Sequence, residues 1–253
     1  MSSRFIILSL PRSGTNNLQS IINLHPDAFC WGEHMIGIND TDLPQRFPSF
    51  REYEDRSVKS EDRYLDNFYT GKYFEDMHID PELPWNFGNP CTNKKAVGFR
   101  LFDYHQSPYN LDLLTRKKYK VIFVERQDLF WSTISHILMH KNIIIDKSFK
   151  WGNTTILKKP IEISEKQFED LYNRRKKSIT GCLYFLKEHN IEYLHLKYET
   201  MFDPKVYDSI FKFLSIDPIE VYPERYNMRD TTDKKIVNVI NIKDIQSKYQ
   251  LNK

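Results

Sequence analysis

Phe5-Ile6-Ile7-Leu8-Ser9-Leu10-Pro11-Arg12-Ser13-Gly14-Thr15-Asn16-Asn17-Leu18 opens the chain with an apolar run, a turn and the start of a helix. The unbroken run of β-formers from Phe5 has the pattern of a strand buried on both faces, and Pro11 ends it. The turn carries a cation, two small hydroxyl residues and a glycine. Leu18, Ile21, Ile22 and Leu24 then follow at helical spacing. A helix that starts directly after a strand leaves its first backbone N–H groups unpaired, and the aligned peptide dipoles add partial positive charge there. Such a turn holds phosphate or sulfate. The stretch therefore predicts an anion cradle at one end of a sheet.

The rest of the chain keeps alternating strand and helix patterns. Strands are predicted at Phe5 to Leu10, Ala28 to Trp31, Ala96 to Phe102, Lys120 to Val124 and Tyr193 to Tyr198. Helices are predicted near 15 to 24, 129 to 140, 164 to 188 and 205 to 214, with a short one near the end. This pattern gives the fold class: α/β, with a mostly parallel central sheet and helices on both faces. In such sheets ligands lie beyond the carboxyl ends of the strands, where the first loop points. Residues 1–253 read as one domain, with insertions at about 40–94 and about 143–160 assigned to the acceptor side.

Lys and Arg number 37 against 34 Asp and Glu, a formal charge of +3, with no polybasic block of the kind that binds nucleic acid or a membrane surface. Cys30, Cys91 and Cys182 are scattered without CxxC spacing, which argues against a disulfide framework or a bound metal and for a reducing compartment. The strand with the motif begins too early for a signal peptide, and no apolar run approaches the length needed to span a bilayer. A soluble, cytoplasmic protein is expected.

The loop has the architecture of a P-loop without the sequence of a nucleotide hydrolase, which needs a second glycine and then Lys and Ser or Thr. Here one glycine follows an arginine. Pro11-Arg12-Ser13-Gly14-Thr15 resembles the 5′-phosphosulfate loop of sulfotransferases that use 3′-phosphoadenosine 5′-phosphosulfate (PAPS). The resemblance implies a P-loop-like nucleotide-binding fold in which Arg12 contacts the bridging oxygen. Backbone groups from Ser13 and Gly14 through Thr15, Asn16 and Asn17 would hold the 5′-phosphate.

The stretch from Pro11 through His25-Pro26-Asp27 to Gly32-Glu33 is similar to tyrosylprotein and carbohydrate sulfotransferases, whose Gly-Glu carries the catalytic base. Glu33 ends the second predicted strand, which is expected to neighbour the first. A carboxylate there suits removal of a hydroxyl proton. His34 reads as a neighbour of that base and His25 as a turn former. His105 is the alternative base, because the cytosolic branch of the family takes a histidine from this region.

Lys120-Val121-Ile122-Phe123-Val124-Glu125-Arg126-Gln127-Asp128 is a second apolar strand ending in charge, with Asp128 as the N-cap of the next helix. In the family this strand end supplies an arginine and the helix a serine for the 3′-phosphate. The register departs from the pattern: at the usual spacing from Arg126 the serine position falls on Ile134. Aligning the helix start instead puts Ser135 there and Gln127 in place of the usual arginine. Arg126 with Ser135 is the preferred pair, and Ser132 the alternative.

Ala96-Val97-Gly98-Phe99-Arg100-Leu101-Phe102 resembles the family strand that often reads Gly-Phe-Lys, so Arg100 is assigned to the transferred group or acceptor. Tyr198, at a strand end before Phe213-Leu214-Ser215-Ile216, is the candidate to border adenine. Lys234 and Lys235 lie in a late basic segment of the sort that closes the cofactor site.

Together these features imply a metal-independent transferase that moves a sulfuryl group from PAPS to a hydroxyl and releases 3′,5′-diphosphoadenosine (PAP). The acceptor is a hydroxyl-bearing small molecule, glycan or peptide, and the aromatics of the first insertion, Tyr64, Phe68, Tyr69, Tyr73 and Trp85, are available to line its pocket. Two alternatives stay open. An ATP-dependent P-loop kinase would need a lysine after the loop glycine and a magnesium-binding aspartate. A non-catalytic nucleotide-binding module is compatible with the departures at Gln127 and Ile134.

Overall fold

The computed structural model describes residues 3–33, 91, 93–102, 114–145, 161–221 and 239–250. Its strands are β1 (Ser3–Ser9), β2 (Ala28–Glu33), β3 (Ala96–Phe102), β4 (Lys120–Glu125) and β5 (Tyr193–Lys197). The helices are α1 (Thr15–Asn23), α2 (Leu129–Ile145), α3 (Glu165–Glu188), α4 (Pro204–Phe213) and α5 (Ile242–Gln250), with a 3₁₀ turn at Tyr198–Thr200. All strand pairs are parallel, and the order across the sheet is β2-β3-β1-β4-β5. The expected α/β class and most element positions agree with this. Helix α2 runs on to Ile145, into the stretch read as an insertion, because no glycine or proline interrupts residues 129 to 145. Residues 40–90 and 146–160 lie outside the described residues.

One expectation needs correcting. β2 does not neighbour β1; β3 lies between them. Every residue of β3 is buried, which suits an interior strand. β2 takes the edge, where side chains of α1 occupy part of its backbone. The Cys30 N–H donates to Asn23 Oδ1 at 2.6 Å, and the Cys30 carbonyl accepts from Asn23 Nδ2 at 3.0 Å and Gln19 Nε2 at 3.1 Å. These bonds occupy backbone groups that a sheet edge otherwise offers to another strand.

Alternate residues of the strands feed two cores. Ile6, Leu8, Phe99, Val121 and Phe123 pack with Ile179, Cys182 and Leu186 of α3. On the other face, Phe5, Ile7, Ile122 and Val124 pack with Leu18, Ile21 and Ile22 of α1 and with Tyr207, Ile210 and Phe211 of α4. Phe130, Ile134 and Ile137 of α2 form a third cluster with Ile163, Phe168 and Ile245. Asn241 pins α5 to it, accepting from the Ile163 N–H at 3.1 Å and donating to its carbonyl at 2.7 Å.

The His25-Pro26-Asp27 turn is built around a buried imidazole. His25 Nδ1 accepts from the Asp27 N–H at 3.0 Å, which leaves Nε2 to donate to the Asp217 carbonyl at 2.8 Å. Asp27 also meets Lys95 at 2.8 Å, and this partner holds its carboxyl below the usual range. The three cysteines are buried thiols. Burial pushes Cys30 up to about 12 and Cys91 to about 11, so neither forms a reactive thiolate near neutrality.

Gly98 marks where β3 comes closest to β1. A Cβ there would stand 2.5 Å from both the Phe5 carbonyl oxygen and its ring carbon Cε2. Backbone cannot yield as a flexible side chain does. Gly98→Ala is therefore expected to lower stability by about 1–3 kcal/mol, seen as a lower urea midpoint at unchanged slope; an unshifted midpoint contradicts this packing.

Candidate anion-binding site

The site lies at the carboxyl edge of the sheet, where β1 gives way to α1. Arg12 and Gly14 both take left-handed backbone conformations, at φ 67° and 78°. Gly14 is the N-cap of α1 and supplies no side-chain cap. In contrast, Asp128 accepts from the Trp131 N–H at the start of α2, Ser164 caps α3 and Asp203 caps α4. The Asn17 and Leu18 N–H groups turn back to the Gly14 carbonyl at 3.0 and 3.3 Å. Those of Thr15 and Asn16 donate to no acceptor among the described residues. An anion is the partner such a terminus takes.

The glycine is required sterically as well as conformationally. A Cβ on Gly14 would lie 2.5 Å from Tyr198 Cε2 and 3.1 Å from Met201 Cε. Tyr198 thus packs against the loop itself, with the Arg126 guanidinium 4.7 Å from the centre of its ring.

Several guanidinium groups converge on the loop, among them those of Arg100, Arg126 and Arg12. Arg100 pairs in register with Ile7 of β1 and Glu33 of β2, and is only 5% exposed. It donates to Asn16 Oδ1 and, at 3.5 Å, to Thr15 Oγ1. Arg126 donates to the Arg12 carbonyl at 3.3 Å. Arg12 Nε donates to Ser135 Oγ at 3.0 Å, joining the first loop to α2. Ser13 is buried beside them.

The residues read as alternatives on α2 have different surroundings. Ser135 reaches Arg12, whereas Ile134 is buried in the third cluster. Ser132 is fully buried, donating to the Leu129 carbonyl at 3.2 Å and accepting from Arg175. Gln127 is exposed.

Glu33 closes β2 immediately after a register shift. Cys30 pairs with Gly98, but Glu33 rather than Gly32 pairs with Arg100. One extra residue in β2 therefore brings Glu33 abreast of Arg100. His34, His105, Lys234 and Lys235 lie outside the described residues, as do the aromatics of the first insertion.

The sequence reading missed Arg175 and Glu199. Arg175, on α3, donates to the Pro11 carbonyl at 2.9 Å. Its legible signal was position, since Phe168, Arg175, Ile179, Cys182 and Leu186 share the buried face of α3. Glu199, directly after Tyr198 in the turn that follows β5, accepts from the Asp128 N–H at 3.1 Å. Among the described residues no group of three or more His, Cys, Asp or Glu could hold a metal ion, and no helix is long and apolar enough to cross a membrane.

This is an α/β, P-loop-like fold with a glycine turn at its strand ends, and the solved structures it resembles include sulfotransferases. The sulfotransferase from Alicyclobacillus acidocaldarius superposes over 99% of this chain and 95% of its own, at 14% identity and a TM-score of 0.50. The sulfotransferase domain of the Synechococcus PCC 7002 olefin synthase covers 96% of this chain and 82% of its own, at 15% identity and 0.46. Mouse sulfotransferase SULT7A1, solved with PAP, covers 91% of this chain and 64% of its own, at 16% identity and 0.45. No family model and no curated protein sequence matches the chain. The chain has a sulfotransferase-type fold.

Gly14→Ala combines left-handed strain with a clash against the Tyr198 ring. It is expected to cost about 2–4 kcal/mol of stability, measured by chemical denaturation, and Gly14→Ala in combination with Tyr198→Ala should recover part of it. No recovery would mean that backbone strain alone sets the cost.

Proposed function

We propose that the protein is a PAPS-dependent sulfotransferase acting on a hydroxyl-bearing small molecule, glycan or peptide. The observation that carries this reading is the Arg12–Ser135 hydrogen bond, which brings two anion motifs 123 residues apart in sequence to one edge of the sheet. A ligand with two separate phosphates matches two such motifs. The uncapped start of α1 and the guanidinium groups of Arg12, Arg100 and Arg126 fit its charge.

In this reading the Thr15 and Asn16 amides, with Ser13, Gly14 and Asn17, hold the 5′-phosphate, and Arg126 with Ser135 holds the 3′-phosphate. Lys234 and Lys235 are assigned to the same phosphate, and Tyr198 supports the loop while bordering the base. PAPS supplies a sulfuryl group on a phosphate leaving group. Glu33 accepts the proton of the acceptor hydroxyl, with His105 the alternative base. Arg12 and Arg100 neutralise the charge that develops on the sulfuryl and bridging oxygens. A sulfuryl group carries less charge than a γ-phosphoryl group, so guanidinium groups and helix amides suffice where kinases use magnesium. The setting is cytoplasmic in this proposal.

PAP at about a hundred times its Kd is expected to raise the melting temperature by about 5 °C or more, and ATP with magnesium to raise it less. Stabilisation by ATP with magnesium but not by PAP overturns the assignment in favour of a kinase. A PAP shift without sulfuryl transfer to any acceptor marks a binding module.

Arg12→Ala and Glu33→Gln are each expected to lower turnover on the order of a hundredfold with the fold retained. Unchanged turnover in either variant removes that residue from its role.

A further inference from the structure

Arg175 is a long cationic side chain on the core face of α3, 2% exposed. Its guanidinium reaches two other parts of the fold. One NH2 hydrogen bond goes to the Pro11 carbonyl at 2.9 Å, immediately before the left-handed Arg12, and another to Ser132 Oγ at 3.1 Å. NH1 lies 3.1 Å from His136 Nδ1. An arginine can only donate, so this contact makes Nδ1 the acceptor and leaves the ring proton on Nε2. Pro11 leads into the loop. Ser132 and His136 flank Ser135 on α2, one three residues before it and the other directly after.

We infer that Arg175 is a positioning residue that fixes the spacing between the two anion-binding motifs and thereby sets preference for a nucleotide carrying both a 5′- and a 3′-phosphate. This rests on the nucleotide reading proposed above. The planar fork is what the role needs: several fixed donors span a carbonyl, a hydroxyl and an imidazole at once, which a lysine ammonium on a flexible stem does not reproduce. Burial limits water's competition for these bonds and holds the fork in place. The Arg12–Ser135 bond at 3.0 Å crosses the same gap nearer the surface, so Arg175 is the buried tie and Arg12 the exposed one.

A residue that only stabilised the fold would weaken PAP and AMP binding alike. A spacer acts differently, because AMP lacks the 3′-phosphate and engages one motif. The test measures PAP and AMP dissociation constants by calorimetry for the full chain, Arg175→Lys and Ser132→Ala. Ser132→Ala keeps the arginine and removes one of its anchors on α2. The expected result is a roughly tenfold fall in the PAP-over-AMP preference in Arg175→Lys and a smaller fall in Ser132→Ala. AMP affinity should change little in either. If the wild type prefers PAP and both variants keep that preference, the role of Arg175 is overturned while the nucleotide reading stands. If the wild type shows no preference for PAP, the two-phosphate reading fails, and this inference with it. Should Arg175→Lys fail to fold, an undiminished preference in Ser132→Ala overturns the spacing role by itself.

Discussion

The turn between β1 and α1 must take the chain out of a strand buried from Phe5 to Ser9 and into a helix whose first two amides donate to no acceptor among the described residues. Gly14 permits this because it lacks a Cβ: its left-handed φ of 78° is unstrained, and the space a side chain would fill holds the Tyr198 ring. Tyr198 in turn meets Arg126, and Arg126 binds back to the Arg12 carbonyl. The loop, the end of β4 and the turn after β5 therefore close on one another around the glycine. A helix capped by its own side chain in the usual way would have covered these amides.

The fold was largely legible, since each strand of a parallel sheet with helices on both faces must read as a short apolar run. Phe5 to Leu8 and Lys120 to Val124 show this plainly. Strand order was not legible. Local patterning says that β2 follows β1 but not that Ala96–Phe102 will insert between them; only the full burial of β3 and the edge-blunting side chain of Asn23 rationalise it afterwards.

At the site, residue types were a better guide than register to which side chains meet the loop. Arg100 reaches Thr15 and Asn16, while Arg12 and Gly14 take left-handed turns in the same loop. On α2 the spacing counted from Arg126 led to Ile134, a core residue, because a helix turns one side chain in three or four toward a given neighbour. Starting the count at the cap, Asp128, reaches Ser135 instead. Arg175 escaped notice inside the basic run Arg174-Arg175-Lys176-Lys177, where a single buried member is hidden by solvated neighbours.

The insertion of β3 also bears on how the molecule is made. Among the described residues β1 pairs with β3 and β4, and β2 pairs with β3. During synthesis β1 and β2 both leave the ribosome before β3, the strand with which each of them pairs. The nascent chain must keep two strand-forming segments from wrong pairings until residues 96–102 arrive, a delay that non-local parallel pairing imposes. α1 eases this interval, because its Asn23 and Gln19 can occupy the Cys30 backbone before any strand does. The short segment from β1 to β2 can thus protect itself locally while the rest of the sheet is being synthesised.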